Sequence, residues 1–133
     1  PEQMDKKQLD IALEEFFHEV QVNSGIDIQF RKNEPTFTLT SEAELSIFRG
    51  VQEAITNAMR HGQATRITVL LMYNPSQLVV TIKDNGTGAL DLAPKGGLKS
   101  LQERLRAEGG SVTLEASNPG VTVQMILPNT EKQ

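Results

Sequence analysis

The sequence predicts an α/β two-layer sandwich, in which a mixed, mostly antiparallel sheet of about five strands carries three helices on one face. Apolar residues recur at helical spacing in three separate segments. Runs with alternating or β-branched residues lie between and after these segments, and two pairs of runs flank turn sequences typical of hairpins. Hairpins make neighbouring strands antiparallel, and helices packed on one face of such a sheet share a core with it.

The first helix is predicted over about residues 6–23, where apolar side chains recur every three or four positions. It ends before Gly25, because glycine is the usual residue just after a helix. The alternation over residues 26–30 predicts a half-buried strand. The segment 37–39, with Phe37 and Leu39, predicts a short second strand.

The second helix has the strongest signal in the chain. Ser41 and Glu44 form a capping box, which predicts that the helix begins there. Gly62 is expected to end it. The residues of its apolar face are Leu45, Phe48, Val51, Ile55, Ala58 and Met59.

The rest of the chain is predicted to form a hairpin, a loop, a third helix and a second hairpin. The loop contains four glycines and a proline and has no periodicity. In order, the elements are strands 66–73 and 77–84, the loop over 85–97, a helix from Leu98 to about Ala107, and strands near 112–114 and 121–125.

Length and composition limit what the chain can be. A chain of 133 residues favours a single domain, with residues 129–133 as a flexible tail. A net charge of −4 argues against binding to nucleic acid and against direct contact with a membrane. The absence of cysteine excludes thiol catalysis and zinc-thiolate sites. Because the chain starts at Pro1 without a methionine, we expect a fragment of a larger protein.

Four polar residues are predicted along one edge of the second helix. Glu53 and Asn57 are four positions apart, and Arg60 and His61 follow one turn later. An asparagine oxygen is a hard neutral ligand, suited to Mg²⁺ that keeps most of its waters and takes further ligands from phosphates. The two basic residues would then face the negative charge. A solvated helix edge with surface ion pairs accounts for the same spacing.

Two glycine-rich segments follow this helix. Asp84 ends a predicted buried strand, and Gly86 and Gly88 let the backbone turn sharply beside a flat ring. Gly96 and Gly97 precede the third helix, whose free backbone donors attract phosphate. Each segment alone is also explained by an ordinary turn or helix start. Together with the helix edge, they supply a metal ligand, a group that recognises a base, and a phosphate clamp.

These segments resemble the motifs of the GHKL ATPases, which include DNA gyrase, heat-shock chaperones and histidine kinases. Segment 53–62 (EAITNAMRHG) resembles their N-box, and segment 84–88 (DNGTG) resembles their G1 box. Segment 97–105 (GLKSLQERL) resembles the second glycine box of sensor histidine kinases that pair with nitrate-response-type regulators. The resemblance covers about residues 9–128 and implies the Bergerat fold of those proteins.

The resemblance implies that the chain binds ATP with Mg²⁺. Asn57 would coordinate the metal, and Glu53 would lie beside the metal and its waters as the second catalytic residue. Arg60 and His61 would approach the phosphates, and Asp84 would accept a hydrogen bond from the adenine amino group.

The remaining ATP-binding candidates lie at the two ends of the glycine-rich loop. Gly86 and Gly88 would shape the adenine pocket, and a mobile lid would cover about residues 86–96. The candidates for holding phosphate are Lys95, Gly96, Gly97 and Leu98.

Three positions depart from the subfamily pattern. Lys95 stands at the first glycine of the second box, where its side chain either stiffens the lid or reaches a phosphate. Ser100 stands where glycine is common, and Val121 stands where a threonine usually supports the adenine-binding aspartate through water. We therefore expect modest affinity for ATP.

The resemblance further implies the catalytic domain of a bacterial two-component sensor kinase. Its partners would be the dimerisation and histidine-phosphotransfer domain of the same parent, which holds the acceptor histidine, and a response regulator downstream. His18 is not expected to be that acceptor, because Asn23 stands where the subfamily has glutamine. The domain would be cytoplasmic, in a parent anchored in the bacterial inner membrane. Two alternatives stay open, namely an anti-sigma-factor-type serine kinase of the same fold and a nucleotide-binding module that transfers nothing.

Overall fold

The protein was analysed as a computed structural model, which describes residues 8–131. These residues form α1 (Leu9–Ser24), β1 (Asp27–Lys32), α2 (Ser41–Arg60), β2 (Arg66–Asn74), β3 (Gln77–Asp84), α3 (Gly96–Ala107), β4 (Ser111–Ala116) and β5 (Val121–Pro128). Residues 6 and 7 of the predicted first helix, and residues 132 and 133 of the predicted tail, lie outside the described range. None of the helices in that range is both long and apolar enough to cross a membrane.

The five strands form one mixed sheet in the order β1-β2-β3-β5-β4. β1 pairs with β2 in parallel, and the other three pairings are antiparallel. For residues 8–131, the predicted two-layer sandwich with five strands and three helices is confirmed. Its central strands β3 and β5 come from the two predicted hairpins. The end of β3 at Asp84 and the start of β5 at Val121 lie close to α2 and α3.

The core lies between the helices and one face of the sheet. Alternate residues of β2, β3 and β5 are buried there, namely Ile67, Val69, Leu71, Leu78, Val80, Ile82, Val123, Met125 and Leu127. From α2, Ile47, Val51 and Ile55 have no exposed surface. Burying each such side chain is worth about 1.5–3 kcal/mol. This packing fixes α2 over the sheet and so positions the polar edge that carries Glu53 and Asn57.

Two helix starts differ from the predictions. The N-cap of α2 is Thr40, whose side chain accepts a hydrogen bond of 3.1 Å from the Ala43 N–H. Ser41 is therefore the first helical residue, because threonine caps a helix as well as serine does. α3 begins at Gly96, two residues before Leu98, because the Lys95 carbonyl already accepts the Leu98 N–H at 3.1 Å.

The predicted strand at Phe37 and Leu39 is wrong. Residues 37–39 pair with no strand of the described sheet. The Asn33 side chain also bonds the backbone N–H and carbonyl of Tyr73, at 2.7 and 2.8 Å. Phe37 is instead buried by packing, with its ring centroid 5.3 Å from that of Tyr73. Its alternation with Leu39 reflects burial of side chains without backbone pairing.

The start of α1 and the end of the chain are tied to neighbouring elements. The Leu9 N–H donates to Oε2 of Glu44 on α2, at 3.1 Å. At the other end, the Asn129 N–H donates to the Ser76 carbonyl at 2.8 Å, and Glu131 accepts from the Thr38 N–H at 2.8 Å. The described part of the predicted tail therefore makes hydrogen bonds to the body of the domain.

Replacing Asp10 with asparagine is expected to remove a pH-dependent contribution to stability. The hydrogen bond from Lys32 Nζ holds the pKa of the Asp10 carboxyl below its ordinary value. Such a carboxyl stabilises the fold above the unfolded pKa of about 3.9, and its contribution is lost as pH falls through the folded value. In urea unfolding, Asp10→Asn should lower the free energy of unfolding by up to about 1 kcal/mol at neutral pH. The same difference at a pH low enough for both the folded and the unfolded state to bind the proton would contradict this explanation.

Candidate functional site

A cavity of about 620 Å³ opens where the end of α2 meets the ends of β3 and β5 and the loop over residues 85–95. Its volume lies within the roughly 300–1,000 Å³ typical of small-molecule sites. The polar side chains that line it are Glu53, Asn57, His61, Asp84, Asp91 and Lys95. Its apolar wall consists of Ala54, Ala58, Ala89, Leu90, Ala93, Leu98, Leu114, Val121 and Val123. The cavity thus combines an apolar wall with polar groups at both ends.

Most of the predicted site residues line this one cavity. They are Glu53, Asn57, His61, Asp84, Gly88, Lys95, Gly96 and Leu98. Arg60 and Gly86 are not part of its lining, since Arg60 is exposed to solvent and Gly86 is buried behind it. Gly97 lines a neighbouring groove between α2 and α3, which shares Glu53 with the cavity. Asn57 and Asp84 therefore face the same space, and Gly97 lies beside it.

Asp84 is held in a fixed orientation at the end of β3. Its side chain is 9% exposed. Oδ1 accepts two backbone hydrogen bonds, from Gly86 at 2.8 Å and from Val121 at 3.3 Å. Within residues 8–131, Oδ2 has no hydrogen-bond partner, so it is available to a donor in the cavity. At Val121, where the sequence suggested a lost hydroxyl, the backbone N–H supports the carboxylate directly.

Gly120 is a supporting residue that the sequence pattern did not indicate. Its φ is +87°, and a Cβ added there would lie 1.9 Å from the Asp84 carbonyl oxygen. The sequence of segment 117–120 (SNPG) predicts the turn of the second hairpin. Nothing in the pattern showed that this turn packs directly on Asp84, because the contact joins residues 36 positions apart.

The N-box and G1-box segments are joined by their backbones. The Thr87 N–H donates to the Gly62 carbonyl at 2.7 Å. A Cβ at Gly86 would lie 2.3 Å from the same oxygen, so only glycine allows this approach. Asn85, also not predicted as a site residue, accepts two backbone hydrogen bonds of 2.9 Å from the residues that lead into β2. These contacts hold the helix end and the strand end together.

The oxygen atoms of Asn57 and Glu53 fit Mg²⁺ only if water and phosphate supply the remaining ligands. Asn57 is half-buried, and its side chain makes no hydrogen bond to any residue of the described range. That range also contains no cluster of three or more His, Cys, Asp or Glu side chains arranged to hold a metal. An asparagine with one nearby carboxylate suits Mg²⁺ that keeps several waters and binds phosphate oxygens.

The start of α3 also lines the cavity. Lys95 is the N-cap residue, and no side chain caps the free N–H groups of the first turn. Lys95 Nζ lies 2.8 Å from Oδ2 of Asp91 in the loop. This part of the lining therefore combines backbone donors with an ammonium group that is already paired.

Comparison with known proteins gives a consistent answer. Residues 42–131 match the family described as histidine kinase-, DNA gyrase B- and HSP90-like ATPase. The chain is 29% identical over 136 residues to the oxygen sensor histidine kinase NreB of Staphylococcus carnosus, covering 98% of this chain and 39% of NreB. It is 32% identical over 123 residues to the sensor histidine kinase YxjM of Bacillus subtilis, covering 88% of this chain and 29% of YxjM. The chain thus spans well under half the length of these relatives.

Solved structures show the same fold. The catalytic domain of histidine kinase ThkA superposes with a TM-score of 0.71 at 16% identity, covering 93% of each chain. The ATP-binding domain of PrrB from Mycobacterium tuberculosis gives 0.65 at 21% identity, covering 86% of this chain and 88% of that one. The resemblance to GHKL ATPases and sensor histidine kinases seen in the motifs is confirmed. The chain belongs to the family of histidine kinase-, DNA gyrase B- and HSP90-like ATPases.

Proposed function

We propose that the chain binds ATP with Mg²⁺ and is the catalytic domain of a bacterial sensor histidine kinase. In this role it supplies the γ-phosphoryl group to a histidine in a separate dimerisation domain of its parent. The main support is that Asn57 and Asp84, from motifs far apart in the sequence, line one cavity of about 620 Å³. A candidate metal ligand and a candidate base acceptor on one cavity are the two polar groups that a nucleotide with bound Mg²⁺ needs.

The adenine would bind at the β3 end of the cavity. Oδ2 of Asp84 would accept the hydrogen bond of the amino group, because Oδ1 is already engaged by two backbone donors. Val121 and Leu114, which line the same cavity, offer apolar surface to a planar ring. A buried carboxylate with a fixed orientation discriminates strongly, because a partner without a donor would leave it unsatisfied.

The phosphate chain would run between the end of α2 and the start of α3. Asn57 would hold Mg²⁺, with Glu53 beside it orienting the metal's waters. The ion would neutralise charge on the transferring phosphoryl group, which is most of what phosphoryl transfer requires of a protein. Arg60 and His61 would approach the phosphates from α2. The phosphate-binding residues at the start of α3 would be its N-cap Lys95 and the first helical residues Gly96, Gly97 and Leu98.

The acceptor histidine and the downstream response regulator would lie on other domains. The relatives are named sensor histidine kinases, and ThkA has been solved in complex with the response regulator TrrA. We propose the equivalent partners for this chain, and a cytoplasmic position in a membrane-anchored parent. His18 would take no part, since it lies exposed on α1 and does not line the cavity.

A transfer assay tests this proposal. The chain alone, incubated with ATP labelled at the γ-phosphate and Mg²⁺, should remain unlabelled. Addition of the parent's dimerisation domain should label that domain. Asn57→Ala should lower the rate by at least about tenfold, because a metal ligand that stabilises the transferring group is lost. Asn23→Ala provides the matched control, since Asn23 is an exposed asparagine on α1 outside the cavity.

The stability of the label distinguishes the alternatives. Phosphohistidine is lost in acid, whereas phosphoserine survives it. Acid-stable label on an added protein would favour the serine kinase, and ATP binding without any labelled acceptor would favour a module that transfers nothing. Acid-labile label that is equally strong with Asn57→Ala would contradict the assigned role of Asn57.

A further inference from the structure

We propose that Asp91 and Lys95 form a charge latch at the mouth of the cavity, in which Asp91 holds the Lys95 ammonium group until a phosphate chain displaces the carboxylate. This inference rests on the proposed function and adds to it a regulation of phosphate binding. Asp91 would act as an internal competitor of the nucleotide.

The geometry places both partners of the pair on the cavity. Lys95 Nζ lies 2.8 Å from Asp91 Oδ2, and both residues belong to the cavity lining. The other carboxylate oxygen, Oδ1, accepts a hydrogen bond of 2.9 Å from the Ala93 N–H. The backbone therefore orients the carboxylate towards Lys95. The hydrogen bond from Lys95 also keeps the pKa of Asp91 below its ordinary value, so the carboxylate is ionised at neutral pH.

The charges around the cavity make Lys95 important for an anionic ligand. Of the described residues that line the cavity, Lys95 is the one lysine or arginine. Three carboxylates, those of Glu53, Asp84 and Asp91, line the same space. Release from Asp91 would leave the net charge of the cavity unchanged, but it would give the polyphosphate the one lysine ammonium group that lines this space.

The strength of the pair suits a reversible latch. Lys95 and Asp91 side chains are 69% and 55% exposed. Exposed pairs of this kind change an equilibrium constant by a factor of about two to five. A phosphate chain with several charges and a metal ion can outcompete one exposed carboxylate, because its charge is higher. Once the chain leaves, Asp91 recaptures Lys95.

Calorimetric titration with adenosine, ADP and ATP in the presence of Mg²⁺ tests the latch. Asp91→Asn should bind ATP about two- to fivefold more tightly than wild type, with adenosine affinity unchanged. Lys95→Gln should bind ATP more weakly. In the Lys95→Gln background, Asp91→Asn should give a smaller gain, because the partner it releases is absent and only direct repulsion of the phosphates is relieved. The control is Glu14→Gln, which removes one exposed carboxylate 3.7 Å from Lys32 and outside the cavity.

The outcomes separate the latch from the proposed function. A gain for Asp91→Asn no larger than that for Glu14→Gln would overturn the latch, as would a gain that is equally large without Lys95 or extends equally to adenosine. In each of these cases ATP binding by the wild type would leave the proposed function standing. A wild-type chain that binds neither adenosine nor ATP would overturn both. Urea unfolding of every variant shows that the comparison is made between folded proteins.

Discussion

A methyl group added at Gly120 is expected to cost about 2–5 kcal/mol of stability and to abolish ATP binding. The Cβ of Gly120→Ala would lie 1.9 Å from the Asp84 carbonyl oxygen and 2.6 Å from its Oδ1. The turn would have to move away from β3, and the Val121 N–H that supports Asp84 would move with it. Urea unfolding measures the first effect, and calorimetric titration with ATP and Mg²⁺ measures the second.

Gly25→Ala isolates the backbone part of this effect. Gly25 has a φ of +77°, close to the +87° of Gly120, but a Cβ added at Gly25 would meet nothing within 4 Å. Its cost should be limited to the left-handed conformation, about 1–2 kcal/mol, with ATP binding unchanged. If Gly120→Ala were no more damaging than Gly25→Ala, the contact with Asp84 would not constrain the turn.

Asp84→Asn is expected to weaken ATP binding by about 10- to 100-fold while leaving the fold intact. An asparagine can still accept the Gly86 and Val121 N–H groups through its amide oxygen. The free Oδ2 would become an NH₂ group, which would face the adenine amino group donor to donor. Losing a hydrogen bond to a charged acceptor costs about 1.5–3 kcal/mol, and each 1.4 kcal/mol is about a factor of ten in affinity.

A thermal shift assay with ATP and Mg²⁺ measures this loss together with stability. A ligand at about 100 times its dissociation constant should stabilise wild type by about 2.7 kcal/mol. The control is Asp27→Asn, an aspartate on β1 that pairs with Arg66 and does not line the cavity. Equal ligand-induced stabilisation of the two variants would show that Asp84 does not contact the nucleotide.

The parts of the site that lie within one element could be predicted from the sequence. Glu53 and Asn57 on α2 and His61 at its C-cap recur at helical spacing, so the helical period alone places them along one edge. Arg60, predicted on the same edge, does not line the cavity. Asp84 could be placed at a strand end because the β-branched run of β3 stops there. The motif resemblance then indicated that these two groups of residues belong to one site, and they do line one cavity.

The parts that depend on contacts between distant elements could not be predicted. The approach of Gly120 to Asp84 follows from the pairing of β3 with β5, which no local pattern encodes. The false strand at Phe37 has a similar origin, because the ring contact with Tyr73 that buries Phe37 joins residues far apart in the sequence. Gly97 was expected in the cavity, but its place in the neighbouring groove depends on how α3 packs against α2.

The hydrogen bond between the Thr87 N–H and the Gly62 carbonyl limits how much of the glycine-rich loop can change conformation. It ties the first residues of the loop to the end of α2, so any opening of the predicted lid over residues 86–96 is expected to involve only the part from Gly88 to Gly96. Gly88 and Gly96, which bound this part of the loop, both have positive φ, of +87° and +55°. The part of the cavity surface formed by Asn57 and Asp84 is therefore preformed. Any conformational change that controls ligand entry is confined to the segment between Gly88 and Gly96.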